Sequence, residues 1–255
     1  MSLAHGNAPS ENSDWNRHGD PPVAGTAPGP LLAVKGLGKA LVALLWANIG
    51  IAVVTAFAQM VVLLWLTNRD SDGLDYALHR PLGLTVPVTA LGIASTLLTL
   101  AIVVVWIVWQ YRATRNVQVW GVGMRRGTGW AIAGWLVPIV SLWFPAQGMH
   151  DLMRGSRPDA SSGSLAGYQA AEPLIGWWWF SYLATRISAA VGAVLTIGAV
   201  TNSDWLTPNR ILLVSHLPAI AAGLMAIRIV TLTTERQEQR MEAARAYWGS
   251  LTPQQ

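Results

Sequence analysis

Four long apolar runs divide this chain, and a polar or basic break follows each. The first covers about residues 40–66 (ALVALLWANIGIAVVTAFAQMVVLLWL) and leads into the charged loop Thr67 to Arg80. The second, about 86–109, leads into the basic stretch Tyr111 to Arg126. The third covers about 174–200 and the fourth about 210–232. A helix of a soluble protein keeps one face polar. These runs are apolar all round for about 20 residues, the length that crosses a bilayer core about 30 Å thick. The pattern predicts an all-α polytopic membrane bundle.

The segment 128–148 (TGWAIAGWLVPIVSLWFPAQG) is apolar too, but Pro138 and Pro145 interrupt it. An interior proline removes a helix hydrogen bond and clashes with the preceding turn. Charge placement decides how this segment is read. If it spans, the arginines and lysines divide almost evenly between the two sides. If it dips in and returns, only Arg69, Arg80 and Arg210 remain outside, in accord with the positive-inside tendency. The expected architecture is therefore four spanning helices plus one proline-broken re-entrant or interfacial segment, with both termini cytoplasmic. Residues 1–36, rich in Pro, Gly, Asn and Ser, read as a disordered cytoplasmic tail. Residues 37–234 form the membrane domain, and 235–255 an amphipathic helical tail resting on the headgroups. No secretory signal pattern opens the chain.

Composition agrees with this medium. The chain of 255 residues is 52% hydrophobic and 12% charged, against about a quarter charged in soluble domains. Its net charge of +4 is carried at the ends of the apolar runs. That placement points to topology and anionic lipid headgroups rather than to nucleic acid. With no cysteine, disulfides, thiolate metal sites and thiol catalysis are excluded. Trp46, Trp65, Trp106, Trp109, Trp177 to Trp179 and Trp205 sit near run ends and read as interfacial anchors.

Candidate chemistry is sparse. Arg186 stands near the middle of the third run, and none of the runs contains Asp or Glu. An intramembrane guanidinium costs about 2.5–3.5 kcal/mol on insertion scales, so it is expected to face the bundle or snorkel. Asn48, Gln59 and carbonyls freed by Pro138 are its candidate partners. His216, next to Pro218, reads as a packed neutral imidazole, since no carboxylate lies nearby in sequence. His150 and Asp151 lack a third metal ligand at a useful spacing. The stretch GVGMRRGTG fits neither GxGxxG nor a Walker pattern and reads as a flexible basic loop. Small residues four apart, such as Ser188 and Gly192 or Ala219 and Gly223, permit close helix approach.

The stretches WQYRATRN (Trp109 to Asn116) and GWAIAGWLVPIVSLWFPAQGMHDLMRGS (Gly129 to Ser156) resemble an actinobacterial membrane-protein family, domain of unknown function 4328. Trp109, Arg112, Asn116, Trp135, Pro138, Pro145, Trp177 and Trp178 carry the likeness, and the Arg236-Gln237 pair is similar as well. The resemblance implies a membrane-embedded multi-helix bundle and no activity. It draws attention to Arg112, Arg115 and Asn116, which are expected to pin the broken segment by bonding carbonyls that Pro138 and Pro145 release. The residues together suggest no enzyme and no cofactor. They suggest an interaction, scaffold or regulatory component of the cell envelope, with a membrane-protein partner or a second copy of the chain. The alternative is a transporter or channel subunit for an anionic or lipid substrate.

Overall fold

The computed structural model describes residues 30–70, 72–74, 82–161 and 172–251. The chain divides into Met1–Pro30 and Leu31–Gln255, and the fold below is that of the second unit. The expected tail lies outside the described residues as far as residue 29.

Every regular element among the described residues is helical. In chain order they are α1 (Lys35–Thr67), α2 (Leu82–Val119), α3 (Trp130–Leu136), a 3-10 turn (Val140–Leu142), α4 (Phe144–Gly155), α5 (Pro173–Leu195) and α6 (Asn202–Leu251). Three of them, α1, α2 and α6, are long and apolar enough to cross a membrane. At 1.5 Å per residue, the 23 residues of α5 reach about 35 Å, a bilayer's thickness. Its apolarity is diluted by Trp177 to Trp179, Tyr182 and Arg186. The helix α6 continues without a break through Thr234, where the sequence suggested a separate tail, and its 50 residues outrun any bilayer core.

The long helices alternate in direction. α6 packs along α1 on one side and α5 on the other, and α1 also packs against α2. Two contacts at each end fix this array. At one end, here termed the anchored end, Gly38 lies against Thr234, and Lys35 Nζ is 3.9 Å from Glu238. At the far end, Gln59 Nε2 donates to Asn209 Oδ1 at 2.8 Å, and Asn202 Nδ2 donates to the Asp70 carbonyl at 2.8 Å.

The proline-broken element begins and ends at the anchored end, because Gly155 at the close of α4 packs on Val117 and Val122 where α2 finishes. Its first helix has 7 residues, about 10 Å, far short of a crossing. The chain turns at Val137–Ile139, beside an exposed Pro138. Pro145 instead sits at the start of α4, where the missing N–H has no helical partner to lose.

The core also gathers at the anchored end. Leu41, Trp109, Val117, Met149, Leu152, Ile175 and Ile229 are all fully buried there. Toward the far end the helices turn large apolar side chains outward: Phe57 is 71% exposed, Leu97 62% and Leu217 69%. Such a surface is compatible with lipid contact and costly in water.

Candidate functional site

The most elaborate side-chain arrangement is the polar and aromatic cluster at the anchored end, built on the last turns of α2. Asn116 is fully buried. Its Oδ1 accepts from the Leu32 N–H at 2.8 Å, while its Nδ2 donates to the Leu32 carbonyl at 2.9 Å and to Gln237 Oε1 at 3.0 Å. Gln237 Nε2 in turn donates to the Ala113 carbonyl and to Ser156 Oγ, at 2.9 and 3.0 Å. One amide pair thereby ties the chain before α1 to α2, α6 and the end of α4. Arg236 caps α4 by donating to the Met153 carbonyl at 3.0 Å. Arg240 donates to the carbonyls of Gly155 and Arg157 and lies over the Trp120 ring.

The broken element is thus pinned, but from a different helix than the sequence suggested. Arg112 reaches the Ala33 carbonyl at 3.3 Å, before α1, and Arg115 is exposed. Pro138's own carbonyl accepts from Ser141 Oγ. The carbonyls that need donors are those ending α4, and Arg236 and Arg240 stand at the right height on α6 to meet them, with Gln237 beside them bonding the Ser156 hydroxyl.

Above this network lies an aromatic floor. Trp106 of α2 stacks on Trp178 of α5 at 5.5 Å, and Trp135 of α3 meets Trp106, Trp178, Trp179 and Tyr182 edge-on at 6.0–6.5 Å. Gln110 Oε1 accepts from both Trp106 Nε1 and Trp135 Nε1 at 3.0 Å, and Trp179 Nε1 donates to the Leu142 carbonyl at 2.8 Å. Trp109 Nε1 donates to Thr234 Oγ1 at 3.2 Å. The expected anchor role therefore divides: Trp46 and Trp177 are exposed, whereas Trp106, Trp109, Trp178 and Trp179 are core residues, and the N–H groups of Trp106, Trp109 and Trp179 find partners inside the protein. Replacing Gln110 by leucine would strand two indole donors. The expected loss is about 2 kcal/mol of stability, read as a lowered thermal midpoint in detergent.

The basic loop before α3 is latched rather than loose. Arg126 bonds Gln147 and covers the Phe144 ring, while Asp151 accepts from the Arg125 N–H at 3.0 Å and pairs with its guanidinium at 3.6 Å. Burial pushes the Asp151 carboxyl above its ordinary 3.8, outweighing Arg125. Burial, then Arg154 and Arg125, hold the His150 imidazole below 6.5. The signs differ. A base whose folded pKa is depressed contributes stability above its unfolded pKa and loses it as pH falls, so His150 begins to destabilise below about 6.5. Protonating Asp151, by contrast, relieves a buried charge, so its contribution has the opposite sign. Thermal stability in detergent is expected to fall between about pH 7 and pH 5.5, and His150→Gln should flatten that slope.

The two candidates within the apolar runs part company. His216 Nδ1 donates to the Leu212 carbonyl at 2.8 Å from a half-buried ring. Arg186 is exposed, and none of the hydrogen bonds or ion pairs among the described residues reaches it. Gln59 is taken by Asn209, and the buried Asn48 Oδ1 has no partner. The small-residue pairs hold at two positions, where Gly192 admits Leu212 and Gly223 admits Ile49. Among the described residues, no group of three or more His, Asp or Glu is placed to hold a metal ion.

The family described as Domain of unknown function (DUF4328) matches residues 85–235, more than half of the chain. The chain belongs to this family. No curated protein and no solved structure matches it. The DUF4328 region takes in α2 from near its start, the whole broken element, α5 and most of α6. Asn116, Gln110 and Trp135 fall inside it, whereas Gln237 and Arg240 lie just beyond. Sequence reasoning singled out Asn116 and Trp135 but passed over Gln110, Thr234 and the bonding role of Gln237. The signal for them was weak: lone amides and hydroxyls where apolar runs turn polar.

Proposed function

We propose that this DUF4328 protein is a multi-pass component of the cytoplasmic membrane that acts by protein–protein contact, as a scaffold, regulator or subunit of an envelope complex, and not as an enzyme. In this reading α5 is a fourth span and the proline-broken element is re-entrant. Both termini lie in the cytoplasm, and exposed arginines such as Arg115 and Arg125 meet anionic headgroups. The observation that carries the reading is the anchored end itself. Its buried amides, indoles and guanidinium groups bond to one another and to backbone carbonyls, which builds a rigid platform on which the apolar faces of four helices are displayed. Rigid, pre-organised surfaces favour binding by lowering the ordering cost.

Cross-linking and mass spectrometry in native membranes test it. Recurrent cross-links from this chain to one or a few membrane proteins are expected, and a chain that yields intramolecular links alone would refute the proposal. A second reading, a transporter or channel subunit for an anionic or lipid substrate, draws on one feature: an exposed arginine beside a broken membrane segment. Substrate flux in vesicles containing the purified protein, lost in Arg186→Ala, would favour it.

A further inference from the structure

The aromatic floor has an open space above it. α3 wedges between α2 and α5 at the level of Trp106 and Trp178, and Trp135 touches both helices. The two helices meet there through their rings. Beyond the turn at Val137–Ile139 no described element continues between them, and α2 and α5 pack along α1 and α6 rather than along each other, which leaves a cleft toward the far end. On the α2 side Leu100, Val103 and Val104 are exposed, and only 6% of that helix's apolar window is buried.

Arg186 lies on the α5 wall of this cleft. Trp179 and Tyr182 face Trp135, and Arg186 stands one turn beyond Tyr182 and two beyond Trp179 on the same helix face. We infer that the α2–α5 cleft receives one transmembrane helix of another protein, carrying an Asp or Glu that pairs with Arg186. The inference rests on the interaction role proposed above and names where and by what chemistry that contact is made.

Depth argues for a carboxylate on a helix. Arg186 is thirteen residues past Pro173 and nine before Leu195, about 20 Å and about 14 Å along the axis. Its side chain leans toward the helix N-terminus, over the tryptophan floor, and that floor separates it from headgroups at the anchored end. A phosphate from the far end would have to sink about 14 Å. A second copy of this chain cannot supply the charge. Its α1, α2 and α5 carry no acidic residue in their described apolar stretches, and α6 has only Asp204 near one end and acidic groups from Glu235 onward near the other. A guanidinium in lipid is tolerated when paired, and an arginine–carboxylate pair across two helices meets that need.

A photo-activatable amino acid placed in the full-length protein at Val103 or Ala193, inside the cleft, or at Phe57, on the opposite surface, tests this in native membranes. The cleft positions are expected to capture one membrane protein that Phe57 does not. The captured peptide should be an apolar span with an acidic residue. Arg186→Ala should lower the yield at least about tenfold and Arg186→Lys should retain part of it. Arg186→Glu should be rescued by an arginine at the partner's acidic position. Capture of phospholipid alone, of a second copy, or of a span without a carboxylate would overturn the inference, as would an Arg186→Ala yield equal to wild type. If partners are captured elsewhere on the chain but not here, the cleft assignment fails while the interaction role stands. If none is captured at any surface, both fail.

Discussion

Asn116→Ala is expected to lower stability by about 3 kcal/mol, a large loss for a single polar side chain. The asparagine is fully buried and makes three hydrogen bonds, two of them to the backbone of Leu32. Removing it leaves Gln237 Oε1 and both Leu32 groups without their partner, and each stranded polar group costs about 1–3 kcal/mol. The loss is less than the sum because Leu32 is only half-buried and water can reach it. Unfolding in detergent, followed by near-ultraviolet signals from the tryptophan cluster, measures the effect. Gln237→Ala should cost a similar amount. The double variant should cost less than the two together, since both remove the same 3.0 Å bond. Arg112→Ala is the control. Its contact at 3.3 Å is exposed, and its removal should change stability by less than about 0.5 kcal/mol. If the arginine change were the more damaging one, the amide network would not be what holds this end together.

Gly38→Ala is the second large effect, at about 2 kcal/mol, and Gly38→Leu should prevent the native packing of α1 on α6. A Cβ on Gly38 would lie 2.6 Å from Thr234 Oγ1 and 3.2 Å from its methyl group. That hydroxyl cannot swing aside freely, because it accepts the Trp109 N–H and Trp109 is fully buried. Adding one methyl to α1 therefore disturbs α6 and α2 together. Thr234→Ala in the same chain clears the space and should recover most of the loss from Gly38→Ala. Gly192→Ala makes the useful comparison. Its Cβ would lie 2.8 Å from both Cγ and Cδ2 of Leu212, a half-buried apolar side chain that no hydrogen bond holds in place, so a smaller loss is expected. Equal losses at the two glycines would show that the Thr234–Trp109 bond does not stiffen the contact.

Much of the architecture was readable before any contact was known. In lipid, an apolar run of this length is expected to be a helix, because each backbone N–H and C=O must find its partner within the segment. A proline acts on the same local scale, so the interruption at Pro138 was visible, and counting arginines suggested that the broken element returns to the side it came from. The family likeness between Trp109 and Ser156 pointed to the region where the core lies.

Partners were another matter. Asn116 and Trp135 could be chosen from the sequence, yet Asn116 bonds across 84 and 121 positions of chain and Trp109 across 125. Whether an indole serves as a headgroup anchor or a core residue depends on which helix lies beside it, and the letters W, Q and N are the same in both cases. Arg186 shows the contrast from the other side. Its depth follows from counting residues, but that it faces an open cleft, with Gln59 already bonded to Asn209, follows only from how the helices are arranged. Backbone hydrogen bonding and lipid solvation act within a few residues of chain, so sequence determines the helices and their breaks. Side-chain pairing acts between neighbours in space, and the tertiary packing alone decided who those neighbours are.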